Sequence, residues 1–403
     1  MSIIKIPIFL PDNYNQDREK GAFLWTSGYC LFDNDTIWFV PYNYNCLVQY
    51  DLVTGNIVKN ILLKGSNCIK GTHYNLVKHG HYIVLIPARD MNVFIYDIEC
   101  AELHRLPLIG EEDRKEKYIT FSVWNNFIYC FPLNRTDILR VDVSTLSVQF
   151  IKWDRACEYL KDKEDFVEHS ATIGSKVYLL VGQSNSICEF DMETESERFF
   201  SVGEAQTIYT RICQYGKDGL VLVEKNGHVV VLNSSKQIVS RKKILELGER
   251  AQCVIWDKGN MLFDSYDTMF YWDEINEIKI ILDIQGEYSG QDLNYAPYSR
   301  LSVGTKYVAV FYLPLQVIFI INKKSFDIRV SYICNNQFSK IFIEELFLDE
   351  CRREIMLEDS IDVISVGNLL KTLTSTLNHV TEKPEKQQLA GKLIYNMVCK
   401  RVL

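Results

Sequence analysis

The chain has 403 residues, 47% hydrophobic and 24% charged. That is enough apolar material for a large core and excludes a disordered polymer. The net charge of -8 argues against a general nucleic-acid binder, because phosphate contacts need clustered Lys and Arg. Aromatic residues reach 12%, which suits half-buried strands.

The N-terminal run Ile3 to Leu10 is apolar, but too short and interrupted for a signal peptide. No stretch reaches the roughly 18 apolar residues of a membrane helix. The expected setting is soluble and cytoplasmic, with no membrane partner. The run itself is expected to lend a strand to the last sheet and close the fold.

From Thr36 onward one pattern recurs. A β-rich run, often ending in Pro, is followed by a polar turn. A strand ending in Asp or Asn comes next, then a turn and a further strand. The first copy reads Thr36 to Pro41, Cys46 to Asp51, then Ile57 to Leu63. The second reads His81 to Pro87, Asn92 to Asp97, then Glu102 to Leu106. The third reads Phe127 to Pro132, Asp137 to Asp142, then Val148 to Ile151, and the fourth has Val177 to Val181 and Ile187 to Asp191. Later copies are looser: Leu220 to Val223 with Val229 to Asn233, Met261 to Phe263 with Met269 to Asp273, and Tyr307 to Phe311 with Val317 to Asn322. The terminal residues Asp51, Asp97, Asp142, Asp191, Asn233, Asp273 and Asn322 lie 40 to 49 residues apart. Short strands at that period predict blades of a β-propeller, since a lone sheet cannot bury both of its faces but a ring of sheets can. Each anchor side chain is placed to accept hydrogen bonds from turn N–H groups.

After about Glu344 the pattern becomes helical. Leu370, Leu373, Leu377 and Val380 share one face, and Pro384 opens a second stretch with Leu389, Leu393, Ile394 and Met397. The reading is all-β, a seven-bladed propeller over residues 1–340 with a C-terminal helical hairpin over 341–403. The hairpin is expected to cap the propeller or to form a dimer contact.

The repeat resembles Kelch-type blades and other propellers carrying Tyr-Asp-x-x-Thr turns. It is similar to bacterial propeller repeat proteins of uncharacterised function in Trp38 to Asn43 followed by Tyr50 to Gly55. The resemblance covers about residues 20 to 333. No Gly-Gly doublet precedes the strands, and the Gly-His and Trp-Asp marks of WD40 repeats occur once only, at Gly227-His228 and Trp256-Asp257. It implies the architecture and carries over no activity.

Loops entering the innermost strand and loops joining the second and third strands share one face of a propeller, and loops carry function more often than strands. The expected inner strands hold Trp25, Tyr74, Asn75, Trp124, His169, Arg211 and Arg300. The neighbouring loops hold Tyr42, Asn43, Arg89, Asn134 and Arg135. Arg, Asn and aromatic side chains together suit an anionic or glycan-like ligand. Arg211, Arg300 and His169 are expected to converge at the channel mouth.

No His-Glu-x-x-His, phosphate loop or Gly-x-Ser-x-Gly elbow is present, so neither a cofactor nor a metal is expected. Glu111-Glu112 and Glu344-Glu345 are adjacent pairs and do not build an acid/base dyad. The twelve cysteines are spread singly, without Cys-x-x-Cys, as reduced core thiols would be. Two functions remain: a non-catalytic binding or scaffold propeller for a protein, peptide or glycan, and a propeller lyase or hydrolase acting on a polar or anionic ligand at the channel mouth.

Overall fold

The computed structural model describes residues 2–10, 12, 14–15, 23–24, 26, 28–42, 44–66, 73–108, 118–132, 137–153, 166–182, 184–244, 252–257, 260–265, 268–272, 277–284, 300–312, 315–346 and 349. Seven antiparallel sheets follow one another, spanning residues 31–62, 73–107, 118–152, 166–201, 209–243, 252–284 and 300–331. Each is a blade of four strands, here a to d in chain order. Blade two shows the plan: His73–His79, Tyr82–Pro87, Asn92–Asp97 and Glu102–Pro107. The a strands of successive blades lie side by side around the ring, and that of blade seven returns to that of blade one. The molecule is a seven-bladed β-propeller.

The continuous apolar b and c strands follow from this arrangement, because both faces of a blade are buried between neighbours. Period-two alternation then sends successive residues to opposite neighbours. In blade two, Ile83, Leu85, Phe94 and Tyr96 join the cluster of blade one. Val84, Ile86, Val93 and Ile95 join that of blade three. The same division continues through Leu179 and Leu180 in blade four and Leu222 and Val223 in blade five. Blade seven closes the series, with Val308 and Val310 toward blade six and Ala309 and Phe311 toward blade one. Each large side chain buried in this way contributes about 1.5–3 kcal/mol.

The anchors act as the repeat implies. Asp51 Oδ1 accepts from Val53 N (2.7 Å) and Thr54 N (3.0 Å). Asp97 Oδ1 accepts from Glu99 N and Cys100 N, and Asp142 Oδ1 from Ser144 N and Thr145 N. Asp191, Asn233 and Asn322 serve their own turns likewise; Asp273 lies outside the described residues. Turn hydrogen bonds hold the Asp51 and Asp97 carboxyls below the usual carboxylate range, with backbone N–H groups as the largest cause, and the Ser144 hydroxyl leads at Asp142. Four residues after the anchor the backbone is left-handed at Gly55, Ala101, Leu146, Glu195 and Phe326.

The N-terminal strand corrects the expected closure. Ser2–Ile8 pairs in parallel with Glu277–Ile284, the outermost strand of blade six, as a fifth strand. It does not join the last blade, because its inward side chains suit a different seam. Ile8 is buried, and with Ile6 and Leu10 it fills the cluster between blades six and seven. Blades seven and one are sealed instead by the segment after the last strand. Leu24 N donates to Ile333 O at 2.7 Å, beside a bridge between Phe23 and Cys334. Gln337 accepts from Ile57 N (2.7 Å) and donates to Gly55 O (3.3 Å). Phe338, Phe342 and Leu346 bury in the blade-one core. Residues 340–346 are helical, while the helical faces expected at Leu370 to Val380 and after Pro384, within the hairpin of 341–403, lie outside the described residues. No helix among the described residues is long and apolar enough to cross a membrane.

Candidate functional site

Because the strands of a blade alternate in direction, b–c loops and d–a connectors lie at one end of the ring and a–b and c–d turns at the other. We call these the upper and lower rims. Backbone hydrogen bonds fix both. At the upper rim the residue after strand d donates to the b–c loop of its own blade: Leu63 N to Asn45 O (3.0 Å), Leu108 N to Met91 O (2.7 Å), Val202 N to Asn185 O (3.0 Å) and Ile244 N to Gly227 O (3.0 Å). At the lower rim Leu52, Ile98, Val143, Met192 and Lys323 donate to the a–b turn in the same way.

The a strands carry a repeated irregularity at their upper ends. Pairing with strand b skips between His73 and Asn75, Tyr118 and Thr120, Phe166 and Ser170, and Tyr209 and Arg211. A bulge of this kind re-aims side chains and often flanks functional sites. Tyr74 is the extra residue of blade two, His169 lies within the bulge of blade four, and Arg211 follows that of blade five. Arg300 opens the a strand of blade seven, opposite Phe311. These four expected residues are therefore placed at the same rim. Tyr42 and Arg89, half-buried, sit in b–c loops at that rim.

The remaining candidates separate. Trp124 pairs with Phe127 beside the a–b turn, so it stands at the lower rim, packed on the core between blades three and four. Trp25, Asn43, Asn134 and Arg135 lie outside the described residues. The inner strand of blade one is Leu31–Asp33, which Trp25 precedes. Arg211 is half-buried. Ile212 packs toward blade four, so alternation turns Arg211 with Cys213 toward blade six. Its Nη1 donates to Thr210 O at 2.5 Å. Neighbouring a strands are also laced by hydroxyls: Thr120 to Ser170 (2.5 Å) and Ser122 to Thr172 (2.8 Å), while Ser302 Oγ accepts from Cys30 N (3.0 Å).

Behind Arg89 lies a buried polar cluster that the sequence reading missed. Asp90, fully buried, accepts from Ser66 Oγ, from Asn92 N (2.9 Å) and from Asn92 Nδ2 (2.7 Å). His73, also buried, lies near Asn92 O through Nε2 at 3.4 Å and stands edge-on to Phe94. Burial lowers the His73 pKa, against the opposing pull of Asp90 and the Asn92 carbonyl. The imidazole is thus neutral at pH 7, with Nε2–H as donor. The cluster pins the loop that presents Arg89. The Asp-x-Asn spacing of Asp90 and Asn92 was the available signal, an Asx turn like those of the anchors.

No family model matches the sequence, and comparison with curated proteins finds no relative. Solved structures do resemble the fold. Virginiamycin B lyase from Staphylococcus aureus superposes with a TM-score of 0.56 at 10% identity, covering 74% of this chain and 94% of that one. PorZ, a surface component of the type-IX secretion system of Porphyromonas gingivalis, gives 0.52 at 9% identity over 77% of this chain and 39% of that one. The WD40 repeats of RRP9 give 0.50 at 10% identity, over 72% and 87%. At such identities the likeness is one of fold, and enzymes and non-enzymes share it. The chain is similar to these proteins as a β-propeller.

Proposed function

We propose that this propeller is a binding or scaffold module that takes a protein, peptide or glycan ligand on its upper rim. The reading is supported by backbone position: Tyr42 and Arg89 lie in b–c loops of that rim, and Tyr74, His169, Arg211 and Arg300 lie on or next to inner-strand starts. Arginine there favours carboxylate or phosphate groups on the ligand, and Tyr42 and Tyr74 favour flat apolar or sugar faces. Titration calorimetry tests this with oligogalacturonate, a glutamate-rich peptide and inorganic phosphate as probes. At least one is expected to bind wild type, and Arg89→Ala with Arg211→Ala to weaken it. Unchanged binding by a variant with a lowered melting temperature would make the two arginines structural and overturn the reading.

A second reading is a lyase or hydrolase at the same rim, supported by lyases among the proteins of similar fold; His169, in the irregular stretch of the blade-four inner strand, is its candidate acid or base. We also propose kinship with Kelch-like propellers, on the strength of the Asp-anchored turns, and residence in a reducing, cytoplasmic setting. Cys30, Cys46, Cys100, Cys130, Cys188, Cys213 and Cys334 are free thiols, most of them buried, as such a setting maintains. The C-terminal segment 341–403, expected to be helical, is our proposed place for self-association.

A further inference from the structure

The outermost strand of each blade presents an edge of unpaired backbone groups, which proteins generally cover or blunt. Among the described residues, segments of the chain itself cover two of these edges. Ser2–Ile8 pairs with the edge of blade six, and Gln337 bonds the edge of blade one at Ile57 N and Gly55 O. Blade five is different. Its d strand, Ile238–Lys243, is exposed at every residue, unlike any other described outermost strand. Ile238 and Val239 are 43% and 60% exposed. Pairing with strand c skips at Val239 and is regular from Ser240 to Lys243.

The same strand carries Arg241, Lys242 and Lys243, a cationic run in a chain of net charge -8. Arg241 is held by Glu224 through two hydrogen bonds, at 2.8 and 2.7 Å, so it braces the strand. Lys243, across from His228, and Lys242 extend the positive charge toward the upper rim. We infer that this edge is a docking strand for an extended acidic segment of a partner protein, which adds to the blade as a further strand. Backbone hydrogen bonds would supply the pairing, Ile238 and Val239 the apolar contact, and Lys242 and Lys243 the choice of an acidic sequence. A second copy of this chain is the poorer occupant. Edge-to-edge pairing of two such strands would bring Arg241, Lys242 and Lys243 of both copies into one ribbon, and facing like charges repel.

The test uses the full chain and a dye-labelled, acetylated peptide of alternating glutamate and valine, followed by fluorescence anisotropy. A twin peptide N-methylated along its pairing edge and a lysine–valine peptide serve as comparisons. Saturable binding of the acidic peptide is expected, weakened by added salt and by about tenfold or more in Lys242→Glu with Lys243→Glu, on the reasoning that each tenfold is a modest part of a charge-selected affinity. The N-methylated and lysine peptides are expected not to bind. Equal binding of the N-methylated peptide would show charge attraction without strand addition and overturn the proposal. So would absence of binding by the acidic peptide, or self-association of the double-charge variant in place of binding, which would make the lysines guards of the edge. The N-methylated comparison needs no variant, so a folding defect in the double substitution leaves the test intact.

Discussion

Replacing Ala101 with glycine should stabilise the protein, and replacing Gly55 with alanine should destabilise it. Both residues occupy the fourth position after an anchor aspartate, with φ of +58° and +72°. An L side chain in this region is strained by about 1–2 kcal/mol. Glycine avoids the strain but loses more chain entropy on folding, by about 0.5–1 kcal/mol. Ala101 is exposed, so Ala101→Gly surrenders little packing and the balance is a gain of up to about 1 kcal/mol. A methyl group on Gly55 would meet only the Tyr50 hydroxyl, at 3.5 Å. That is ordinary contact, so the cost of Gly55→Ala is the same balance with the opposite sign, up to about 1 kcal/mol. Urea unfolding at neutral pH measures both, with unchanged slopes showing that the unfolded state is unaltered. Effects of the opposite sign would mean that the c–d turns are not left-handed there, and the register of every anchored blade would need revision.

Three further outcomes follow from the packing. Burial lowers the His73 pKa, so the unfolded chain binds the proton more readily. The stability this confers is whole above pH 6.5 and falls as the pH drops below it, by at most about 1.4 kcal/mol per unit. Urea midpoints between about pH 7.5 and 5.5 should therefore fall more steeply in wild type than in His73→Gln; parallel slopes would refute it. Burial pushes the Cys30 thiol up to about 12 and raises Cys46, Cys130 and Cys188 as well. Alkylation of the native protein, mapped by mass spectrometry, should thus mark the exposed Cys100 and spare those four until unfolding. Gln337→Ala removes both bonds to the edge of blade one and should cost about 1–2 kcal/mol in thermal or urea unfolding; no loss would mean that the apolar contacts of Phe338 and Phe342 close the ring unaided.

Much of the architecture was legible because each blade repeats the same local solution. Asp51, Asp97 and Asp142 end a strand and cap the next turn with one oxygen, and short-range chemistry of that kind is written within a few residues. The apolar b and c strands were equally plain. The partner of the N-terminal strand was not, because Ile3 to Ile8 carries the same alternation whichever edge receives it. The inner strands were the other difficulty. Tyr74 and His169 sit in bulges that no periodicity announces, and Trp124 was assigned to the right strand but stands at its far end. The support for Arg89 was hidden for a different reason. Ser66, His73, Asp90 and Asn92 come from a connector, two strands and a loop, and only the fold brings them together.

The central claim is that ligand is taken at the upper rim. Hydrogen–deuterium exchange, measured with and without whichever calorimetric probe binds, tests it most directly. The account predicts slower exchange at the b–c loops 41–45 and 88–91 and at the inner-strand start 209–212. The c–d turns 51–56, 97–102 and 142–147 should exchange as before. Protection confined to those turns would place the ligand at the lower rim and contradict the account.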